Sequence, residues 1–261
     1  MFAPERLRVI KGTLVDKKHI DVSTLSSMLG VSEVTIRRDL ERLESENFLT
    51  RAHGGAILNE QSLEEDYNDF HDDPFIKDRL EISEIASHMI ADNDIIILSS
   101  GPTNLCIAKK ILNKKNVTVL TNDLNIACEL SSNATTNVIV PGGDLDFASM
   151  SLLGKLTETN IKSFFVNKAF IEVEGVSMER GYTVQGIDRA SIIIEMSKIT
   201  TQCILICHYK AFNYNAFSQV GPINMVKKII TNPKLPDQYK KYFFENNIQL
   251  FTAFNAYEGG V

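Results

Sequence analysis

Two sets of residues in this 261-residue chain have the types and spacing to do chemistry. The first is a run of arginines, Arg37, Arg38 and Arg42, within one short stretch. A guanidinium is a rigid fork of donors that matches phosphate oxygens and the O6 and N7 of guanine. The second is a series of polar or glycine-rich turns, each following an apolar run. Ser99-Ser100-Gly101-Pro102-Thr103-Asn104 follows IIIL, and Thr121-Asn122-Asp123 follows VTVL. Gly142-Gly143 follows VIVP, and His208-Tyr209-Lys210 follows CILIC. Helix-opening amides, hydroxyls and a lysine are the groups that hold small anions. Taken singly each is ordinary: Gly-Gly is mostly a turn, and a lone lysine is mostly a surface residue.

The arginines need a platform, and the stretch from Asp21 to Ile57 supplies one. Leu25 and Leu29 form an apolar stripe at helical spacing, and Gly30 follows where a helix ends in a left-handed residue. Ser32 is placed as an N-cap for the next helix, and Asp21 as the cap of the one before. In the second helix Ile36, Leu40 and Leu43 face inward, which turns Thr35, Arg37, Arg38 and Arg42 outward. A helix from Glu5 to about Leu14 contributes Leu7, Ile10 and Leu14 to a shared core. Phe48–Arg51 and Ala56–Leu58 bracket Gly54-Gly55, a hairpin signal that predicts a two-stranded wing. An arginine pair on a helix is ordinarily a solvated face. On the second helix of a helix-turn-helix it reads as a DNA contact surface.

Charge does not decide the matter. Residues 1–60 carry nine Lys and Arg against nine Asp and Glu, so DNA affinity has to come from where the cations sit. The whole chain has a net charge of −6, which argues against non-specific coating of nucleic acid. Its four cysteines, Cys106, Cys128, Cys203 and Cys207, have neither metal-ligand spacing nor the pattern of a disulfide framework. No apolar run approaches membrane-spanning length, and no secretory signal opens the chain. A cytoplasmic protein is expected, with no metal and no cofactor.

Residues 59–73, NEQSLEEDYNDFHDD, are acidic and nearly aperiodic, and Pro74 follows. They read as a linker, the alternative being an acidic helix built on Leu63, Tyr67 and Phe70. Beyond it, apolar runs alternate with helical stretches: Ile95–Leu98, Val117–Leu120, Val138–Val140, Ala169–Val173, Cys203–Cys207, Lys227–Ile230 and Gln249–Phe254. Uniformly apolar strands between helices predict a parallel sheet covered on both faces, with ligands at its C-terminal edge. The expected organisation is an α/β protein: a winged helix-turn-helix at 1–58, a linker at 59–75, and a doubly wound, mostly parallel α/β sensor domain at 76–261.

The run VSEVTIRRDLERLE with the later LTRAHGGA closely resembles the DNA-binding head of bacterial DeoR-type transcriptional regulators. SGPTN, VLTND, the PGG turn, AFIEVEGV with GYTV, and the lysine of CHYK resemble the sensor domain of the same family, whose fold is like that of sugar-phosphate isomerases. The resemblance implies that Ser32, Glu33, Thr35, Arg37, Arg38 and Arg42 face the major groove, with Arg51 and His53 on the wing. It implies a phosphorylated, sugar-like effector held by Ser100, Gly101, Thr103, Asn104, Thr121, Asn122, Gly142, Gly143 and Lys210. It further implies a repressor of a metabolic operon, a homodimer or homotetramer, nucleoid-associated when bound to operator DNA.

The chain departs from that family where Ser99, Asn167 and Cys207 replace expected acids, Tyr209 a serine, Arg189 a glutamate and Ile193 a lysine. These changes predict a pocket stripped of acid–base carboxylates, and hence no catalysis. A degenerate pocket and an isomerase-like enzyme fused to a DNA-binding head are the competing expectations.

Overall fold

The computed structural model describes residues 6–7, 9–10, 13–14, 17–45, 49–52, 54–58 and 73–252. Two compact units result, 1–76 and 77–261.

In the first unit, residues 6–7, 9–10, 13–14 and 17 are helical. They precede β1 (His19–Asp21), α1 (Val22–Leu29), α2 (Glu33–Ser45), β2 (Leu49–Ala52) and β3 (Gly55–Leu58). Leu7, Ile10, Leu14, Leu25, Leu29, Ile36, Leu40 and Leu43 close into one core with Ile20, Val22, Leu49 and Ala56. The turn between α1 and α2 depends on Gly30, whose φ of 64° and ψ of 33° suit a residue without Cβ. Ser32 caps α2, its Oγ accepting from the Thr35 amide at 3.3 Å and lying 2.9 Å from the Thr35 hydroxyl. Asp21 occupies the N-cap position of α1, yet its side chain makes no capping bond. The wing has three strands rather than two: β1 pairs with β3 and β3 with β2, all antiparallel. Only Ile20 of β1 is buried, so three residues offered no alternation to read.

No local spacing in the sequence marks the ion pair beneath α2. Asp39 faces inward, and Arg6 meets it through two nitrogens, Nε to Oδ2 and Nη2 to Oδ1, the latter at 3.0 Å. Both side chains are about nine-tenths buried, Arg6 10% and Asp39 9% exposed.

The second unit is organised on seven strands: β4 (Ile95–Leu98), β5 (Thr118–Thr121), β6 (Asn137–Ile139), β9 (Val166–Glu172), β12 (Thr200–Ile206), β14 (Lys228–Ile230) and β15 (Gln249–Phe251). Their order is β15-β14-β12-β9-β4-β5-β6, and every neighbouring pair is parallel. Successive side chains enter opposite layers. Ile96 and Leu98 pack with α3 (Ile76–His88), α4 (Pro102–Lys110) and α5 (Leu124–Ser131). Ile97 and Ile171 pack with α6 (Gly154–Ile161), α7 (Ile187–Lys198) and α8 (Asp237–Glu245). The sheet is doubly wound. Chain order runs from β4 through β5 to β6 in one direction, and from β9 through β12 to β15 in the other. The reversal lies between β4 and β9, where open α/β sheets hold their ligands.

Two smaller sheets were not foreseen: the hairpin β7 (Asp144–Asp146)–β8 (Ser151–Leu153), and the antiparallel trio β10 (Gly175–Ser177), β11 (Gly181–Val184) and β13 (Ser218–Gly221). Among the described residues no helix is long and apolar enough to cross a membrane, and no cluster of His, Cys, Asp and Glu is arranged to hold a metal ion.

Candidate functional site

Two surfaces follow from this architecture. On α2 the inward residues Ile36, Asp39, Leu40 and Leu43 are buried. Glu33, Val34, Arg37, Arg38, Glu41 and Arg42 are exposed, Thr35 lies half-buried beside them, and Ser32 is exposed at the helix start. Arg37 reaches Glu33 at 3.3 Å, a loose pair with both side chains more than half exposed, so its guanidinium is available to a stronger anion. Val34, 62% exposed, was absent from the sequence-predicted contacts. Its position off the Ile36–Leu40–Leu43 stripe was the signal, and its methyls are suited to a thymine methyl.

Arg51 lies on the wing, as expected, and is paired there with two acids of α2. From β2 its Nη1 donates to Glu41 at 2.9 Å and its Nε to Glu44 at 2.6 Å, while its amide donates to Glu44 at 3.2 Å. The Arg51 amide and guanidinium hold the Glu44 carboxyl below its ordinary range, and Glu44 and Glu41 raise the Arg51 guanidinium. Arg51 therefore fastens the wing to α2. Replacing it with alanine is expected to leave the melting midpoint almost unchanged, because these pairs are exposed, while broadening the amide NMR signals of β2. His53 lies outside the described residues.

The second surface is the crevice between the C-terminal ends of β4 and β9. Ser100 and Gly101 leave β4 beside Asn122 and Asp123 at the end of β5. The Ser100 amide donates to Asn122 Oδ1 at 3.2 Å, the Ser100 hydroxyl to Asp123 Oδ2 at 2.9 Å, and the Gly101 amide to the same oxygen at 3.3 Å. The other Asp123 oxygen caps α5, accepting from Asn125 and Ile126 at 2.9 and 3.1 Å. Burial pushes the Asp123 carboxyl up, against the pull of these donors.

Thr103 and Asn104 open α4, and their amides are already engaged. Glu172, the last residue of β9, places Oε2 2.9 Å from the Thr103 amide and 3.1 Å from the Asn104 amide. Its Oε1 accepts from the Thr103 hydroxyl at 2.7 Å and from Arg79 Nη1 at 3.2 Å. Burial pushes the Glu172 carboxyl up, while Arg79, the Thr103 hydroxyl and the Asn104 amide pull it back. Gly101 permits the approach: a Cβ there would lie 2.3 Å from Glu172 Oε2. The turn expected to be an open anion site is thus occupied by the chain's own acid. Residue types at 99–104 described the donors correctly but did not reveal an acceptor 69 residues away.

The remaining predicted contacts divide. Thr121 is buried at the end of β5 and accepts from the Asp123 amide at 3.1 Å. Gly142 and Gly143 follow β6 at the far edge of the sheet and pack on α6, with the Thr157 hydroxyl donating to the Gly142 carbonyl at 2.7 Å. The β7–β8 hairpin covers Asn122, whose carbonyl accepts from the Leu152 amide at 2.7 Å. Lys210 lies exposed on a single 3-10 turn (Tyr209–Ala211) beyond β12, its amide donating to His208 Nδ1 at 3.2 Å. Four further residues reach the crevice without having been predicted as contacts. Arg189 binds Glu174 and donates to the Ser100 carbonyl at 3.1 Å, and His208 Nε2 meets Asp78 at 2.9 Å.

Two inferences from the departing positions are corrected. Asn167 lies at the N-terminal end of β9, accepting from the Ile95 amide at 3.0 Å, on the edge of the sheet opposite the crevice. Ile193 and Cys207 are core residues, and burial pushes the Cys207 thiol up to about 12. The crevice is not stripped of acids: Asp123, Glu172, Glu174 and Asp78 all line or brace it.

Comparison with known proteins agrees over both units. A model of the DeoR-like helix-turn-helix domain matches residues 6–62, and one of the DeoR C-terminal sensor domain matches 75–233. The uncharacterised HTH-type transcriptional regulator YulB of Bacillus subtilis is 32% identical over 90% of this chain and 91% of its own. The HTH-type transcriptional repressor GlcR of the same organism is 30% identical over 91% of each chain. A ribose 5-phosphate isomerase A from Methanocaldococcus jannaschii superposes with a TM-score of 0.37, at 10% identity over 51% of this chain and 53% of that one.

Proposed function

The chain belongs to the DeoR family of transcriptional regulators, and from that premise we propose that it represses a metabolic operon by seating α2 in the major groove of an operator. One observation carries this reading. The face of α2 turned away from the buried stripe presents Arg37, Arg38 and Arg42 with Val34, a combination of phosphate, guanine and thymine contacts. Ser32, Glu33 and Thr35 set the first turn at the groove, and the wing, braced by Arg51, lies alongside. A homodimer or homotetramer would match the twofold symmetry of two half-sites. Such a protein works in the cytoplasm, on the nucleoid.

The effector is a small acidic metabolite, a phosphorylated sugar or a relative, at the β4–β9 crevice. Ser100, Gly101, Thr103, Asn104, Thr121, Asn122 and Asp123 supply its floor, Arg79 and Arg189 its positive charge, and Lys210 an outer cation. Gly142 and Gly143 serve the packing of α6 rather than the ligand. Catalysis is not part of this role. The carboxylates of Asp123 and Glu172 spend their acceptor sites on amides, hydroxyls and Arg79, so neither is poised to move a substrate proton.

Footprinting on the DNA upstream of the protein's own gene, with and without phosphorylated metabolites, tests the proposal. Protection of two half-sites about one helical turn apart, weakened by one class of metabolite, is the expected result. Uniform or absent protection would refute it, and turnover of pentose phosphates would refute the non-catalytic role.

A further inference from the structure

At the point where strand order reverses, the seat that would receive a ligand's acidic group is filled from within. Each oxygen of Glu172 has two donors: the Thr103 and Asn104 amides on one, the Thr103 hydroxyl and Arg79 on the other. The residue is 6% exposed. Those four donors are what a carboxylate or phosphoryl group seeks at a helix start. Glu172 is anchored at the end of a central strand, so its local concentration far exceeds the millimolar range of a free metabolite. A second anion beside it would meet like charge in a poorly solvated site.

We propose that Glu172 is a tethered stand-in for an acidic ligand: it closes the α4 seat to free anions, and an acidic effector acts by displacing it. This rests on the reading of the crevice as the effector site. Displacement has a defined mechanical consequence, because the Arg79 that Glu172 holds sits in the first turn of α3, the first helix after residues 59–72. The neighbouring Asp78 fastens the same turn to His208 at 2.9 Å and, through its carbonyl, to Asn232 at 3.0 Å. Expelling Glu172 removes one of these ties and leaves the others.

Thermal melting of the full chain, in buffer free of small carboxylates and phosphate, tests the idea with inorganic phosphate and formate as probes. Wild type should shift by less than about 1 °C at 10 mM of either probe. Glu172→Ala should melt lower and recover by roughly 5 °C with phosphate or formate, which refill the vacated donors. A folded E172A protein indifferent to both anions would overturn the proposal. So would wild type stabilised by phosphate as strongly as the variant, or showing Thr103 and Asn104 amide shifts on phosphate addition; these two readouts need no variant. Operator binding by wild type in the same buffers is scored separately: its absence would sink the regulator reading and leave the anion result standing.

Discussion

Replacing Arg37 and Arg38 together with alanine is expected to weaken operator binding about 100-fold or more, with no change in the melting midpoint. Both side chains are exposed, and the partner structure records for Arg37 is the equally exposed Glu33. Their removal therefore opens no core and orphans no buried charge. The loss should carry an electrostatic signature as well. Each arginine that neutralises a phosphate should make the slope of log affinity against log salt shallower by roughly one on its removal, whereas one that forks onto a guanine should relax base preference instead. Gel shift across a salt series measures both quantities at once. An unchanged affinity at physiological salt would remove α2 from the groove.

The second large effect concerns stability rather than contact. Asp39→Ala leaves the Arg6 guanidinium about nine-tenths buried without the carboxylate it binds through two nitrogens. Removing the carboxylate of such a buried pair costs about 2 kcal/mol. In a unit this small that lowers the midpoint of the DNA-binding unit by roughly 10 °C. Replacing both partners, Arg6→Met with Asp39→Leu, should recover most of the loss, since a well-packed apolar pair avoids the desolvation of two charges. Calorimetry of D39A beside wild type measures the shift. At low temperature the D39A protein should still bind operator, which separates this defect from loss of Arg37 and Arg38. A midpoint that does not move in D39A would show that the pair contributes nothing to the fold.

Much of this molecule was legible in its sequence because its elements have strong periods. The Ile36–Leu40–Leu43 stripe oriented α2 and fixed which side the arginines face. The seven apolar runs became the seven parallel strands, their ends moved by a residue or a few. What stayed hidden was short or distant. β1 has three residues with a single buried one, and the β7–β8 and β10–β11–β13 sheets are equally short and mixed in character. The Arg6–Asp39 pair joins positions 33 apart, and no local pattern marks Asp39 as inward beyond its place on the stripe. Glu172 lies inside the run AFIEV, whose apolar character marks a strand and says nothing of the partners of its one acid. Asn167 counts toward the pocket by resemblance yet lies at the N-terminal end of that same strand, because a match of motifs does not say which edge of the sheet a residue reaches. Where function depends on donors and acceptors brought together by topology, the types were visible and the pairing was not.

Selection of duplexes from a random DNA pool by the full chain asks whether α2 reads sequence. Wild type should enrich one family of inverted half-sites with invariant guanines, an enrichment that the Arg37→Ala, Arg38→Ala protein fails to produce. A pool that stays random through successive rounds with wild type, or one that the double variant enriches equally well, would contradict that role for α2.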